Sequence, residues 1–137
     1  MFLQERLQRL RDDFAMFDDP HERLNAVVDR ARKALPLPPA ERTDARRVPG
    51  CVSVVWLVRE RRGAACHFHG DAESPLVRGL VVFLCEFFTG APAAEIASTD
   101  LDPLAALGLT KHLSPTRQNG LAAVRAAIRA CAQTPTV

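Results

Sequence analysis

Residues 76–88 constrain the fold most, because their apolar side chains cover nearly the whole circumference of a helix. Ser74-Pro75 is a typical helix start, with a capping serine and a proline at the first helical position. Gly90 is a typical stop. A helix that is apolar on all sides must be surrounded by other elements, so we expect it at the centre of the core. Its apolar residues are Leu76, Val77, Leu80, Val81, Leu84, Phe87 and Phe88.

The same segment does not predict a membrane span. It is shorter than the roughly 18 continuous apolar residues that a span needs, and Arg78 and Glu86 interrupt it. Residues 1–14 carry charges throughout and lack the apolar middle of a signal peptide. We therefore expect a cytoplasmic protein with no membrane association.

Three further helices are indicated by apolar residues at steps of three and four. The first lies at the N-terminus. The second is capped by Asp19-Pro20 and stopped by Pro36, and the last begins at Ser114-Pro115. Short helical pieces are predicted at residues 92–97 and 101–107. The inner faces of the three longer helices are Leu3, Leu7, Leu10, Phe14 and Phe17; Leu24, Val27, Val28, Ala31 and Leu35; and Leu121, Val124, Ile128 and Cys131.

The middle of the chain has the pattern of a β-hairpin. Residues 52–59 are rich in β-branched side chains and include a tryptophan, which is typical of a buried strand. Residues 60–63 form a polar turn and residues 64–70 can return as the antiparallel partner. If Arg59 pairs near Ala64, His69 falls opposite Val54.

These elements predict a single α+β domain over residues 1–137, a small antiparallel sheet of two to three strands flanked by helices. Hydrophobic residues make up 47% of the chain and charged residues 25%, which are globular proportions. The net charge is only +2, from 18 basic and 16 acidic residues. Such a balance gives no electrostatic reason to expect nucleic acid or an anionic membrane as a partner.

Four cysteines are present and no two are closely spaced, so neither a redox pair nor a zinc knuckle is indicated. Cys66, Cys85 and Cys131 follow apolar patterns and are expected in the core, as free cysteines commonly are. Cys51 instead follows the turn-forming pair Pro49-Gly50 at a loop tip. Position alone leaves open whether its thiol has a role.

Two other uses of Cys51 need partners that the sequence does not clearly supply. A hydrolase would need a base beside the thiol and a group that orients the base, and the predicted pairing carries His69 away from Cys51. Zinc binding by Cys51, His67 and His69 is the second alternative. The two histidines share one face of their strand, but no fourth ligand is evident. We therefore predict no metal and no cofactor.

Three blocks of the sequence resemble the SufE family of sulfur acceptors, which includes the CsdE-like proteins. Residues 48–56 (VPGCVSVVW) are similar to its Val-x-Gly-Cys-x-Ser-x-Val-Trp segment. Residues 70–80 (GDAESPLVRGL) and residues 109–121 (LTKHLSPTRQNGL) are similar to two later family blocks. All three occur in order and near the expected spacing, so the resemblance covers nearly the whole chain.

The resemblance implies a fold, a reaction and partners. The fold would be that shared by SufE and IscU proteins. Cys51 would accept persulfide sulfur from a SufS- or CsdA-like pyridoxal-phosphate cysteine desulfurase and stimulate that enzyme, without being an enzyme itself. Sulfur would pass to a SufBCD-like scaffold for iron–sulfur cluster assembly. The desulfurase, the final destination of the sulfur and a homodimeric state are left open.

Two departures from the family pattern lie near Cys51. Val54 stands where glutamine is frequent, and the preceding loop contains Arg46-Arg47 where asparagine is frequent. Both would alter how a partner docks and neither touches the thiol.

Four other residues of the matching blocks are considered as well, three of them with two readings each. Trp56 shields a persulfide or packs in the core, and Asp71 faces the cysteine loop or caps a turn. Gly79 is expected to let its helix pass close to the sheet. Arg117 pairs with acidic groups of a partner or lies at a helix start.

Overall fold

The computed structural model describes residues 2–50 and 53–133. Within these residues the chain forms six α-helices and one two-stranded antiparallel sheet, which confirms the predicted α+β class. The elements in chain order are α1 (Phe2–Phe14), α2 (Pro20–Arg32), β1 (Val55–Arg62), β2 (Ala65–Ala72), α3 (Pro75–Phe88), α4 (Ala93–Ser98), α5 (Pro103–Ala106) and α6 (Pro115–Gln133).

Helix α3 lies at the centre of the core, as its sequence predicts. It packs against β2, α2, α6, α5 and α1. Leu80, Val81 and Leu84 are each 0% exposed. Ser74 caps the helix start, where its hydroxyl accepts a hydrogen bond from the Val77 amide at 3.5 Å. At the other end the guanidinium of Arg6 donates to backbone carbonyls of residues 86, 87 and 89, which satisfies carbonyls that a helix end leaves without internal partners.

A glycine allows α3 to lie against the sheet, but it is Gly70 of β2 and not Gly79 as the sequence suggests. A Cβ atom at Gly70 would lie 2.6 Å from Cγ1 of Val81 and 2.9 Å from Sγ of Cys85. A Cβ atom at Gly79 would instead lie 3.0 Å from Cα of Val28 in α2. Gly79 therefore serves the packing of two helices, and Gly70 the packing of helix on sheet.

The hairpin is longer at its turn end than predicted. Arg62 pairs with Ala65, so the turn is only Gly63-Ala64, and Gly63 has the positive φ of 60° that favours glycine. Residues 60–62, expected to form the turn, belong to β1, and two arginines of this strand reach α6. The guanidiniums of Arg59 and Arg61 donate to the carbonyls of residues 127 and 132.

The longer hairpin changes the pairing register. Arg59 lies opposite Phe68, not near Ala64, and His69 lies opposite Val58, not Val54. In the described chain β1 begins at Val55, and the predicted strand start at residue 52 lies outside the described residues.

Both outer edges of the sheet are partly covered by other segments. Arg47 forms a bridge with Trp56, and the Val48 amide donates to the Val55 carbonyl at 2.9 Å. Residues 90–93 cover the start of β2 in the same way, with three backbone hydrogen bonds to residues 64–66.

The first two helices end earlier than predicted. Helix α1 ends at Phe14, so Phe17 lies beyond it, and α2 ends at Arg32. Leu35, expected on the inner face of α2, is 81% exposed, and Leu37 takes the buried place at 1% exposure. The chain turns away at Lys33, whose amide bonds to the Arg30 carbonyl in the tighter geometry of a helix end.

Candidate functional site

Cys51, the predicted sulfur acceptor, lies outside the described residues, but the chain is described on both sides of it. We call residues 42–50 the approach segment. It ends at Gly50, which has a φ of 86°, a conformation that favours glycine. A Cβ atom at Gly50 would contact Cβ of Ala123 at 3.4 Å, so the approach segment meets α6 at its end. Ser53, where description resumes, is half-buried.

A buried carboxylate organises the start of this region. Asp71 is 3% exposed and accepts four hydrogen bonds. Its Oδ1 accepts from the Ala72 amide and from Nε of Arg78, both at 2.8 Å. Its Oδ2 accepts from the Leu37 amide at 3.0 Å and from Nη2 of Arg42 at 3.2 Å. Asp71 therefore joins four parts of the chain, and through Arg42 one of these parts is the approach segment.

Hydrogen bonding keeps this carboxylate charged. Burial acts to raise the pKa of the Asp71 carboxyl, because a charged group is poorly solvated in the interior. The hydrogen bonds from the Ala72 and Leu37 amides and from Arg78 outweigh burial, and the pKa lies below its ordinary value of 3.8.

Arg78 extends the cluster to the end of α2. Its two terminal nitrogens donate to the carbonyls of Ala31 at 2.6 Å and of Ala34 at 3.0 Å. These carbonyls lie at and just beyond the last turn of α2, where no helical partner is available. The side chain is only 17% exposed, so Asp71 and Arg78 form a nearly buried ion pair.

Arg42 links the buried carboxylate to the approach segment. Its guanidinium pairs with Asp71 and also lies over the ring of Trp56, with Cζ 5.7 Å from the ring centroid. Trp56 alternates with the buried Val55 and Leu57, so it lies on the outer face of β1 and is half-buried. Trp56 is thus not a core residue, and a guanidinium on its ring is a favourable cation–π arrangement.

A small cleft opens beside Ser53, the first described residue after Cys51. It lies between the start of β1, the start of α3 and the first half of α6, and its volume is about 20 Å³. Arg117 borders it and is exposed, and the Arg117 amide donates the capping hydrogen bond to the Ser114 hydroxyl oxygen at 3.2 Å. Arg117 therefore lies at a helix start, as one of its two readings has it. The cleft is lined by Ser53, Val55, Val77, Thr116, Arg117, Gly120, Leu121 and Val124.

The three cysteines that the structure describes are buried, as predicted. Cys66, Cys85 and Cys131 are 0%, 3% and 9% exposed. Burial, and to a lesser degree the neighbouring Glu86 charge, raises the pKa of Cys85 to about 12. Burial also raises the pKa of Cys66, and the adjacent thiol of Cys131 raises it further. The thiolates of Cys66 and Cys85 are therefore strongly disfavoured near neutral pH.

The histidine pair lies on the outer face of β2 and gives no support to a zinc site. His67 is opposite Glu60, and Nε2 of His69 lies 3.1 Å from the Leu35 carbonyl oxygen. Within residues 2–50 and 53–133, no three histidine, cysteine, aspartate or glutamate side chains lie close enough to hold a metal ion. In the same part of the chain, no helix is long and apolar enough to cross a membrane.

The sequence alone did not reveal the cluster of Asp71, Arg78 and Arg42. Asp71 is 34 residues from Leu37 and 29 from Arg42 along the chain, so only the tertiary fold brings them together. One local signal was available, because an aspartate at the end of a buried strand is followed by an arginine on the first turn of an apolar helix. Both residues belong to a single block of the family resemblance.

Comparison with known proteins decides the family. The SufE family model, described as "Fe-S metabolism associated domain", matches residues 8–132. The chain belongs to the SufE family. An uncharacterized SufE-like protein of Rhizobium meliloti is 38% identical over 120 residues, which span 84% of this chain and 86% of that protein.

A relative from another organism shows the same relationship at lower identity, and a solved structure shows the same fold. An uncharacterized SufE-like protein of Synechocystis is 30% identical over 118 residues, covering 86% of this chain and 74% of that protein. The solution structure of a hypothetical protein from Thermus thermophilus superposes with a TM-score of 0.74 over 93% of both chains. Its identity is 19%, so it supports the fold alone. This SufE-family chain is accordingly assigned to iron–sulfur metabolism in a sulfur-acceptor role.

Proposed function

We propose that this SufE-family chain accepts persulfide sulfur on Cys51 from a pyridoxal-phosphate cysteine desulfurase, stimulates that enzyme and delivers the sulfur to iron–sulfur cluster assembly. Family membership supports the acceptor role in general. The observation that carries the choice of thiol is the burial of the three other cysteines, at 0%, 3% and 9% exposure.

The chemistry requires only one accessible thiolate and a partner. The Cys51 thiolate attacks the outer sulfur of the desulfurase persulfide, forming a new S–S bond to Cys51. The S–S bond of the desulfurase persulfide breaks, and its cysteine leaves as a thiolate. No net oxidation or reduction occurs, because one persulfide replaces another. The same exchange, repeated on an acceptor in the assembly complex, would pass the sulfur on.

The described residues on either side of Cys51 suit this exchange. Gly50 lies against Ala123 of α6, and Ser53 borders the small, mostly apolar cleft between β1, α3 and α6. An apolar surrounding slows the hydrolytic and redox reactions of a bound sulfur that water and other thiols would promote.

Mass spectrometry after incubation with a cysteine desulfurase and cysteine tests the proposal. We expect one or more added sulfur atoms, mapped to the peptide that contains Cys51. Cys51→Ser should give no adduct and should not stimulate sulfide release by the desulfurase. Cys131→Ala is the matched control: it removes the most exposed of the three buried cysteines, at 9%, and should keep both the adduct on Cys51 and the stimulation.

Two results would contradict the proposal. One is full stimulation of the desulfurase by Cys51→Ser. The other is an adduct that maps to Cys66, Cys85 or Cys131 in the folded protein. Delivery is tested separately, by adding a persulfide-loaded chain carrying labelled sulfur to a cluster-assembly complex and measuring label in the assembled cluster.

A further inference from the structure

We propose that Arg42 is a positioning residue for sulfur transfer: held between the Asp71 carboxylate and the Trp56 ring, it fixes the approach segment and thereby orients Cys51. This inference rests on the proposed function of Cys51. It concerns a residue nine positions away from that thiol, which takes no part in the exchange itself.

The anchor of the arrangement is rigid. The Asp71 side chain is 4% exposed and belongs to β2, while Arg78 ties it to α3 and to the end of α2. Four donors hold its two oxygens, so the carboxylate has one orientation. A group that binds this carboxylate is therefore held relative to the whole core.

Arg42, the first residue of the approach segment, attaches this segment to the fixed carboxylate. Its Nη2 is 3.2 Å from Oδ2 of Asp71, and its Cζ lies 5.7 Å from the centroid of Trp56 on β1. The planar guanidinium can pair with a carboxylate and lie on a ring at the same time, which a more compact ammonium does less well. Arg42 is thus attached to both strands of the hairpin.

The rest of the approach segment is attached to the core near its end. One short turn at Asp44–Arg46 shapes it, Arg47 bridges to Trp56, and Val48 is 4% exposed with its amide bonded to the Val55 carbonyl. Cys51 follows Val48 by three residues along the chain. If Arg42 is released, the approach segment keeps its attachment at Val48 but loses the attachment at its first residue. The positions of the residues that lead to Cys51 then become less defined.

Orientation matters because the exchange occurs between two protein thiols in a transient complex. A thiol presented in one geometry reacts without a further search, whereas a loose segment must first be ordered. That ordering weakens the apparent affinity of the carrier for the desulfurase. The effect should therefore appear in the concentration of carrier needed for stimulation, more than in the rate at saturation.

Two Arg42 variants and one matched control form the test. Arg42→Gln removes both the charge and the guanidinium plane, and Arg42→Lys keeps an ion pair with Asp71. The control, Arg62→Gln, also breaks an arginine–carboxylate pair on the hairpin, with Glu60, at the opposite end from Cys51. Amide hydrogen exchange of residues 43–50 is measured in the free protein, and desulfurase stimulation is measured as a function of carrier concentration.

For Arg42→Gln we expect exchange of residues 43–50 to be about fivefold faster or more, the factor that corresponds to losing a tie of roughly 1 kcal/mol. The half-saturating carrier concentration should rise by a similar factor, with little change at saturation. Arg42→Lys should recover part of both effects, and Arg62→Gln should behave as the unmodified protein. Tm should stay close to that of the unmodified protein in all three variants.

The inference is overturned if Arg42→Gln exchanges and stimulates as the unmodified protein does. It is also overturned if only one of the two quantities changes, because positioning requires both, or if Arg62→Gln has the same effect. Failure of the proposed function itself looks different. In that case Cys51→Ser stimulates fully, whatever the Arg42 variants do.

Discussion

Asp71→Asn tests whether the buried carboxylate holds the polar interior of this fold together. Asparagine has almost the same shape, but one of its two side-chain polar atoms is a donor. Each oxygen of Asp71 accepts from two donors, one backbone amide and one guanidinium. Whichever way the asparagine is turned, its NH₂ group therefore faces two donors, and no rotation avoids the conflict.

The size of the loss follows from those contacts. A buried amide left without an acceptor costs about 1–3 kcal/mol, and a hydrogen bond to a charged group is worth about 1.5–3 kcal/mol. The pair with Arg42 contributes no more than about 1 kcal/mol, since that side chain is 37% exposed and water screens it. The pair with Arg78 is nearly buried, and breaking such a pair typically costs about 3–5 kcal/mol. We expect a loss of about 3–5 kcal/mol in the free energy of unfolding at pH 7.

Urea unfolding followed by circular dichroism measures this loss, and its pH dependence provides a second check. Because the pKa of Asp71 is lowered in the folded state, its contribution is fully present above the ordinary value of 3.8 and is lost as pH falls through the folded-state pKa. The difference between the unmodified protein and Asp71→Asn should thus be constant near neutral pH and shrink below pH 3.8. Glu60→Gln, at an exposed ion pair, is the control and should leave the midpoint unchanged.

Two results would refute the reasoning. One is a stability of Asp71→Asn within about 0.5 kcal/mol of the unmodified protein, the range of ordinary surface substitutions. The other is a difference that does not shrink in acid, which would mean that the charge of Asp71 contributes nothing.

Two further predictions concern the packing of α3. Gly70→Ala should lower the free energy of unfolding by about 1–3 kcal/mol, because its Cβ would lie 2.6 Å from Val81. In urea unfolding, the double variant Gly70→Ala/Val81→Ala should lose less free energy of unfolding than the two single variants combined, and strict additivity would contradict the steric explanation. Leu84→Ala should cost about 2–5 kcal/mol because Leu84 is 0% exposed, whereas Leu35→Ala, at 81% exposure, should leave the urea midpoint unchanged; equal effects would argue against a core centred on α3.

Sequence patterns predicted the parts of this fold that depend on burial. The uniformly apolar α3 is central, and Cys66, Cys85 and Cys131 are in the core as their spacing indicated. Hydrophobic periodicity reports such facts because burial is decided residue by residue. The α+β class followed from the change of period between α2 and α3.

Features that depend on long-range polar contacts were mispredicted or missed. Residues 60–62 at the end of β1 looked like a turn, but they continue the strand, and Arg61 reaches a carbonyl of α6 that is 71 residues away in sequence. The error moved the register, and with it the partner of His69. For Asp71 the sequence indicated only the cysteine loop or a turn as its surroundings, because its donors at Leu37 and Arg42 come together in the folded state alone. For the site, the resemblance named Cys51, and no local pattern named Arg42.

The pairing of Val48 with β1 has a consequence for how the approach segment can move. A two-stranded sheet has two free edges, and an exposed edge readily accepts a strand from another molecule. Here the Val48 amide occupies the Val55 carbonyl, next to the bridge between Arg47 and Trp56. Drawing the segment away from β1 leaves that carbonyl without a donor, so water or the backbone of an approaching protein must replace Val48. The segment that leads to the thiol is also a cover that protects the sheet from unwanted association.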